Sequence, residues 1–142
     1  MKDKFFIDTN ILIYSFDKSE PTKQKIAKEI ISKAFTGYAG CISYQVIQEF
    51  LNVATQKFEK PLAKNDCYKF MTNVLEPLCE IFPSMALYKE ALEIQEGWQY
   101  SFYDSLIISA AIRANCNILY TEDLQHEQRI RNLLIINPFI QQ

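Results

Sequence analysis

Apolar residues follow two patterns along this chain: short uninterrupted runs, and longer stretches in which they recur at helical spacing. The short runs lack the polar alternation of a strand with one solvated face, so they predict strands that are buried on both sides. Five such strands are predicted, at Lys4–Asp8, Ala39–Ile42, Leu78–Phe82, Asn117–Tyr120 and Leu133–Ile136.

The stretches at helical spacing predict helices between these strands. The predicted helices are Thr22–Phe35, which Gly37 stops, Tyr44–Phe58, Asn65–Leu75, Ser84–Glu96 and Tyr103–Ala114. Parallel neighbours in a sheet need crossover connections of this kind. The chain therefore predicts an α/β sandwich with a central, mainly parallel sheet of five strands, in which ligands would bind at the carboxyl ends of the strands.

Composition fits a single domain over residues 1–142. The chain is 49% hydrophobic and 23% charged, and its longest apolar runs fall far short of the roughly 20 residues that cross a bilayer. The N-terminus carries charges where a signal peptide needs apolar residues, so we expect a cytoplasmic protein with no membrane segment. The four cysteines form no C-x-x-C pair, which favours buried thiols over a structural zinc site.

Two carboxylates lie at the ends of predicted strands. Asp8 follows the first strand and Asp123 follows the fourth, so a parallel sheet would bring both to one edge. Each has a structural alternative, because Asp8 could cap a helix that begins at Ile11, and Asp123 could cap a short helix that begins at Leu124.

Two further carboxylates lie on helices with apolar faces. Glu49 shares a face with Val46 and Phe50, where an unpaired charge is costly, and its alternative is a buried salt bridge. Asp104 opens the most apolar helix, where a capping box with Ser101 would explain it without any function. Because four separate explanations would be needed, a shared acidic pocket is the better account.

An acidic pocket of this composition suits a hard divalent cation. Magnesium and manganese prefer oxygen ligands and are commonly held by a few carboxylates together with substrate phosphates. Such a site suits phosphodiester hydrolysis, and bound cations would let a chain of formal net charge -2 engage RNA.

Four short motifs in a fixed order carry a family resemblance. They are Asp8-Thr9-Asn10, the helical segment Ser43 to Phe50 (SYQVIQEF), Tyr103-Asp104-Ser105-Leu106-Ile107, and Tyr120-Thr121-Glu122-Asp123-Leu124-Gln125-His126. In this order and spacing the sequence resembles PIN-domain ribonucleases over essentially its whole length, and most closely the VapC-type toxins of bacterial toxin–antitoxin operons.

The resemblance implies a three-layer α/β/α sandwich and an endoribonuclease that depends on Mg²⁺ or Mn²⁺. It implies that the metal ligands and catalytic residues are Asp8, Glu49, Asp104 and Asp123, supported by Asn10 and Thr121. It also implies a homodimer and a small antitoxin, whose C-terminal segment covers the acidic pocket and often inserts a basic side chain. The expected substrate is cellular RNA, with tRNA or rRNA as the first targets to test.

One position departs from the family pattern. Similar sequences continue after Asp-Leu-Gln-His with glycine, whereas this chain has Glu127. If the position needs a positive φ, glutamate would strain the loop, and it would add negative charge near a phosphate site. This leaves open a catalytically impaired PIN-like module that binds RNA or protein, and also a harmless solvated residue. A phosphatase of the haloacid dehalogenase type ranks low, because it normally needs Asp-x-Asp and Asn10 fills the second place.

Overall fold

A computed structural model describes residues 3–37 and 39–140. Its six strands form one sheet in the order β3-β2-β1-β4-β6-β5. The strands are β1 (Phe5–Ile7), β2 (Gly40–Ser43), β3 (Cys79–Ile81), β4 (Ile118–Tyr120), β5 (Arg129–Ile130) and β6 (Leu133–Ile136). All neighbouring strands pair in parallel except β5 and β6, which are antiparallel.

Within residues 3–37 and 39–140, seven α-helices connect the strands. They are α1 (Thr9–Tyr14), α2 (Pro21–Ala34), α3 (Tyr44–Gln56), α4 (Lys64–Phe70), α5 (Glu76–Leu78), α6 (Met85–Trp98) and α7 (Phe102–Arg113), and a π-helical segment at Met71–Leu75 joins α4 to α5. Helix α2 ends shortly before Gly37, which has a φ of 67°. The five predicted strands and five predicted helices are therefore confirmed, with ends that differ by a few residues.

Two groups of helices enclose the sheet and give the predicted α/β/α sandwich. Helix α1 packs against α2 and α3, whereas α6 packs against α7, which also contacts β2 and β4. The core between them is apolar, and its largest fully buried side chains include Phe6, Ile42, Phe50, Ile108 and Leu119. Burial of this surface is the main stabilising contribution to the fold.

Gly40 allows α2 to approach the sheet closely. A Cβ atom built on Gly40 would lie 2.4 Å from the Cβ of Ala34 and 2.8 Å from Cε2 of Phe5. A larger residue would push α2 away from β2, because neither a helix backbone nor a buried ring can yield by that distance.

The sheet differs from the predicted one by a sixth strand. Strand β5 has two residues, of which Arg129 is exposed and Ile130 is buried. A run of two residues shows no period that sequence analysis could detect.

The structure confirms the prediction that the cysteines are free thiols. All four are free, and Cys41, Cys67 and Cys116 are buried, while Cys79 is half-buried. The Sγ atoms of Cys41 and Cys116 lie 3.5 Å apart in the core. Among the helices of residues 3–37 and 39–140, none has the length and apolar character needed to cross a membrane.

Candidate active site

The register of the sheet brings the ends of β1 and β4 together. Ile7 pairs with Tyr120, and the backbone N–H of Asp8 donates to the carbonyl of Tyr120 at 3.0 Å. The residues that follow these strands, Asp8 and Thr121, are therefore neighbours although they are 113 positions apart in the chain. The strand-end prediction for Asp8 is confirmed.

Asp8 is a buried carboxylate that accepts two hydrogen bonds. Its Oδ1 accepts from the backbone N–H of Thr9 at 2.7 Å, and its Oδ2 accepts from the hydroxyl of Thr121 at 2.8 Å. Asp8 is also the N-cap of α1, which begins at Thr9 rather than Ile11. Asp8 therefore both caps α1 and belongs to the candidate site.

Glu49 joins Asp8 through Thr9. The Thr9 hydroxyl donates to Oε1 of Glu49 at 2.6 Å, and Nε2 of Gln45 donates to Oε2 at 3.1 Å. Within residues 3–37 and 39–140 no ion pair involves Glu49, so the alternative of a salt bridge is wrong for this part of the chain. Instead, neutral donors satisfy a half-buried carboxylate on the face of α3 that carries Phe50.

Asp123 joins the same cluster through Asn10 and Thr121. Nδ2 of Asn10 donates to Oδ2 of Asp123 at 3.1 Å and to the Thr121 hydroxyl oxygen at 3.2 Å. The Thr121 oxygen also accepts from the backbone N–H of Asp123 at 3.2 Å. Residues 122–127 form bends and turns, so the helix proposed to begin at Leu124 is absent there.

Asp104 lies half-buried at the start of α7. Within residues 3–37 and 39–140, its side chain has no hydrogen bond that links it to the other three carboxylates. Its backbone N–H donates to Oγ of Ser101 at 3.1 Å, which confirms Ser101 as the N-cap. The connection to the cluster runs through Gln45, whose Nε2 donates to the carbonyl of Tyr103 at 3.3 Å as well as to Glu49.

The three carboxylates linked through Thr9, Asn10 and Thr121 are called the acidic cluster: Asp8, Glu49 and Asp123. Burial raises the pKa of Asp8 from 3.8 to about 7, against the opposing hydrogen bonds from Thr121 and Thr9, and the charges of Glu49 and Asp123 raise it further.

The donor set of the cluster fits a hard divalent cation. It offers carboxylate, hydroxyl and amide oxygens, and neither a histidine nor a cysteine takes part in its hydrogen bonds. Across residues 3–37 and 39–140, no three His, Cys, Asp or Glu side chains stand close enough to form a complete protein-only metal centre. A cation held here would use water or phosphate for its remaining ligands, as Mg²⁺ commonly does.

Sequence reasoning missed Thr9 and Gln45 as individual contributors. Gln45 precedes Glu49 by four positions in α3, a spacing that places two side chains on one helix face, and this signal was available in the sequence. Thr9 gave no comparable signal, because its contact with Glu49 joins α1 to α3 and depends on how the two helices pack.

Glu127 adopts the left-handed conformation that glycine favours, with a φ of 67°. The condition under which glutamate would strain the loop, a positive φ at this position, is therefore met. Its backbone N–H donates to the carbonyl of Ile135 at 2.7 Å, which fixes the chain at this point beside β6. The side chain is mostly exposed and lies 3.5 Å from Nε2 of His126.

Glu127→Gly is expected to stabilise the protein by about 1 kcal/mol, because the left-handed conformation costs a residue with a Cβ roughly that amount. For a chain of this size, such a gain corresponds to about 4 °C in melting temperature. Glu127→Ala is the matched control, since it removes the charge but keeps the Cβ, and it should give no gain. Thermal melts of both variants would contradict the strain argument if alanine stabilised as much as glycine.

Comparison with known proteins agrees with this geometry. The family described as the PIN domain matches residues 5–131, so the chain belongs to the PIN-domain family. The comparison with curated proteins gives no match.

Several solved structures of toxins and toxin–antitoxin complexes have a fold similar to that of this chain. A toxin–antitoxin complex from Klebsiella pneumoniae is similar, with a TM-score of 0.67, 18% identity and coverage of 96% of this chain and 98% of that one. VapBC2 from Rickettsia felis, bound to a promoter DNA fragment, has a TM-score of 0.57, 26% identity and coverage of 92% and 96%. VapC20 of Mycobacterium tuberculosis, a toxin that cleaves the sarcin-ricin loop, has a TM-score of 0.60, 15% identity and coverage of 84% and 90%. The resemblance to VapC-type PIN domains is therefore confirmed.

Proposed function

We propose that this protein is an endoribonuclease that requires Mg²⁺ or Mn²⁺ and acts on cellular RNA in the cytoplasm as the toxin of a toxin–antitoxin pair. The observation that carries the proposal is the acidic cluster beside the carboxyl ends of β1 and β4, in which Asp8, Glu49 and Asp123 accept hydrogen bonds from neutral side chains and a backbone N–H and, within residues 3–37 and 39–140, form no ion pair. Carboxylates that lack a cationic partner are suited to accept one.

In this proposal Asp8, Glu49, Asp104 and Asp123 would hold the metal ion, in part through its water ligands, because no three of them stand close enough in residues 3–37 and 39–140 to form a complete protein-only centre. When bound, the metal would polarise the scissile phosphate and make a water molecule easier to deprotonate. One carboxylate of the site would accept the proton of the attacking water. Thr121 and Asn10 hold the carboxylates of Asp8 and Asp123 in place by hydrogen bonds.

Purified protein incubated with a panel of tRNA and rRNA should cleave RNA when Mn²⁺ is added and should stop when the metal is chelated. Asp104→Asn tests the assignment of the fourth carboxylate. The helix cap at Ser101 uses the backbone N–H of residue 104, so asparagine retains it. We therefore expect weaker cleavage with an intact fold.

Thermal melts of the same variant separate a metal ligand from a helix cap. Saturating metal at 100 times its Kd should stabilise the wild type by about 2.7 kcal/mol. Asp104→Asn should melt at the same or a higher temperature without metal, and should gain less when Mn²⁺ is added. Equal gains in the two proteins would remove Asp104 from the metal site. Cleavage that survives complete chelation would contradict the proposed mechanism altogether.

A small antitoxin is the proposed partner, and the similar complexes from Klebsiella pneumoniae and Rickettsia felis support this part of the proposal. A basic side chain of the antitoxin would form charge-assisted hydrogen bonds with the acidic cluster. Replacing that one basic residue should weaken inhibition. The expected homodimer remains a prediction, to be tested by measuring the mass of the protein in solution.

The left-handed Glu127 favours one alternative function, an impaired PIN-like module that binds RNA or protein without cleaving it. The same assay distinguishes the two. An impaired module would bind RNA without turnover, and Glu127→Gly would restore cleavage if the glutamate obstructs the site.

A further inference from the structure

Glu122 stands between Thr121 and Asp123 in the loop after β4, and both of its carboxylate oxygens have donors from outside the loop. The hydroxyl of Tyr14 donates to Oε1 at 2.6 Å, and Nζ of Lys23 donates to Oε2 at 2.6 Å. Tyr14 ends α1 and Lys23 lies in the first turn of α2. The loop that carries Asp123 is thus tied to two helices.

Lys23 is held in place by more than its charge. Its Nζ lies 3.4 Å from the hydroxyl oxygen of Tyr14, 4.8 Å from the centre of the Tyr14 ring and 5.6 Å from that of Phe139. The two rings meet edge to face with centres 5.0 Å apart. An isolated exposed ion pair contributes little to stability. Here the contacts with the rings of Tyr14 and Phe139 also restrict the Lys23 side chain that pairs with Glu122.

The other side of the same loop is held by Asn10. Its Oδ1 accepts from the backbone N–H of Glu122 at 3.2 Å, while its Nδ2 donates to the carboxylate of Asp123 at 3.1 Å. The side chain of Asp123 is exposed, whereas its neighbour Leu124 is buried in the core. The Asp123 carboxylate is therefore positioned by polar contacts, which are those with Asn10 and Thr121 and those that anchor Glu122.

We infer that Lys23 and Tyr14 are positioning residues, which act through Glu122 to hold Asp123 in the acidic cluster. The catalytic consequence rests on the proposed function, whereas the anchoring itself does not. A direct contact of Lys23 with RNA phosphate is less favoured, because the polar contacts of Nζ go to Glu122 and Tyr14 and the side chain is 32% exposed.

Amide hydrogen exchange tests the anchoring without any need for activity. In metal-free protein, Lys23→Met should speed exchange at the backbone N–H groups of Glu122 and Asp123 by about tenfold, because losing a charge-assisted contact eases local opening. Tyr14→Phe keeps the ring, removes one donor, and should give a smaller increase in the same place. Lys23→Arg should restore near wild-type exchange, and Lys25→Met, at an exposed position of α2, should change nothing. Wild-type exchange in Lys23→Met would overturn the inference.

Kinetics then distinguish positioning from RNA binding. Lys23→Met should lower kcat about tenfold and weaken Mn²⁺ binding measured by calorimetry, while KM for RNA stays the same. Lys23→Arg should recover most of kcat. A raised KM with unchanged amide exchange would instead assign Lys23 to RNA and overturn the inference. If the wild type cleaves no RNA with Mn²⁺, the proposed function fails, and the exchange and calorimetric data still decide whether Lys23 holds Asp123.

Discussion

Asp8→Asn is expected to reduce metal-dependent RNA cleavage by about a hundredfold or more, since one charged group of the site is lost at the reacting centre. Asparagine has nearly the same shape as aspartate, and its Oδ1 can still accept from the N–H of Thr9. The fold should therefore persist. Cleavage rates at saturating Mn²⁺, with circular dichroism as a check on folding, measure the effect.

Asp66→Asn provides the matched control, because Asp66 lies exposed in the first turn of α4 and its loss removes the same charge from the chain. That variant should cleave RNA at the wild-type rate. Preparing both variants in parallel also reveals contaminating nucleases, which would be equally active in each sample. Wild-type cleavage by Asp8→Asn would clear Asp8 of a role in the reaction.

Stability of the metal-free protein is expected to fall as pH rises from about 4 to about 7. Folding raises the pKa of Asp8 from 3.8 to about 7, so within this window the folded protein retains a proton that the unfolded chain has released. The folded state binds more protons there, and its stability accordingly decreases with pH, by at most about 1.4 kcal/mol per pH unit for one proton. Above pH 7 this contribution levels off.

Urea unfolding in the presence of a chelator at pH 5, 6, 7 and 8 measures this slope, and Asp8→Asn isolates the contribution of one group. The difference in unfolding free energy between the two proteins should shift in favour of the variant as pH rises to 7. Glu122 does not interfere, because its pKa is lowered and its contribution is lost only at more acidic pH. Parallel pH profiles for both proteins would show that the Asp8 carboxyl titrates normally.

The sequence predicted the elements of this fold well because their signals are local. Strand β1 is a continuous apolar run, and helix α3 has apolar residues at helical spacing. Gly37 lies just after the end of α2. The order of the strands depends on pairing between distant segments, which leaves no local pattern, and β5 is too short to show a period.

The residues of the candidate site were also predictable where the sequence carries a local signal. Asp8, Asn10, Thr121 and Asp123 follow from strand ends and from the family motifs, and the structure brings these residues together with Glu49. The anchoring of Glu122 could not be predicted, because a glutamate in a loop has no sequence feature that identifies Lys23 as its partner. The conformation of Glu127 could be suspected only because a residue other than glycine occupies a position where similar sequences have glycine.

The position of β1 in the middle of the sheet determines when the acidic cluster can assemble during synthesis. This strand precedes the other five strands of the sheet, but its neighbour β4 is complete only at Tyr120, and Asp123 follows later still. Pairing between segments so distant in sequence also forms slowly compared with local structure. A nascent chain thus contains Asp8 and Glu49 without Asp123 from residue 49 to residue 122 of the 142. For the proposed nuclease, a growing chain that ends before Asp123 therefore lacks one of the proposed metal ligands.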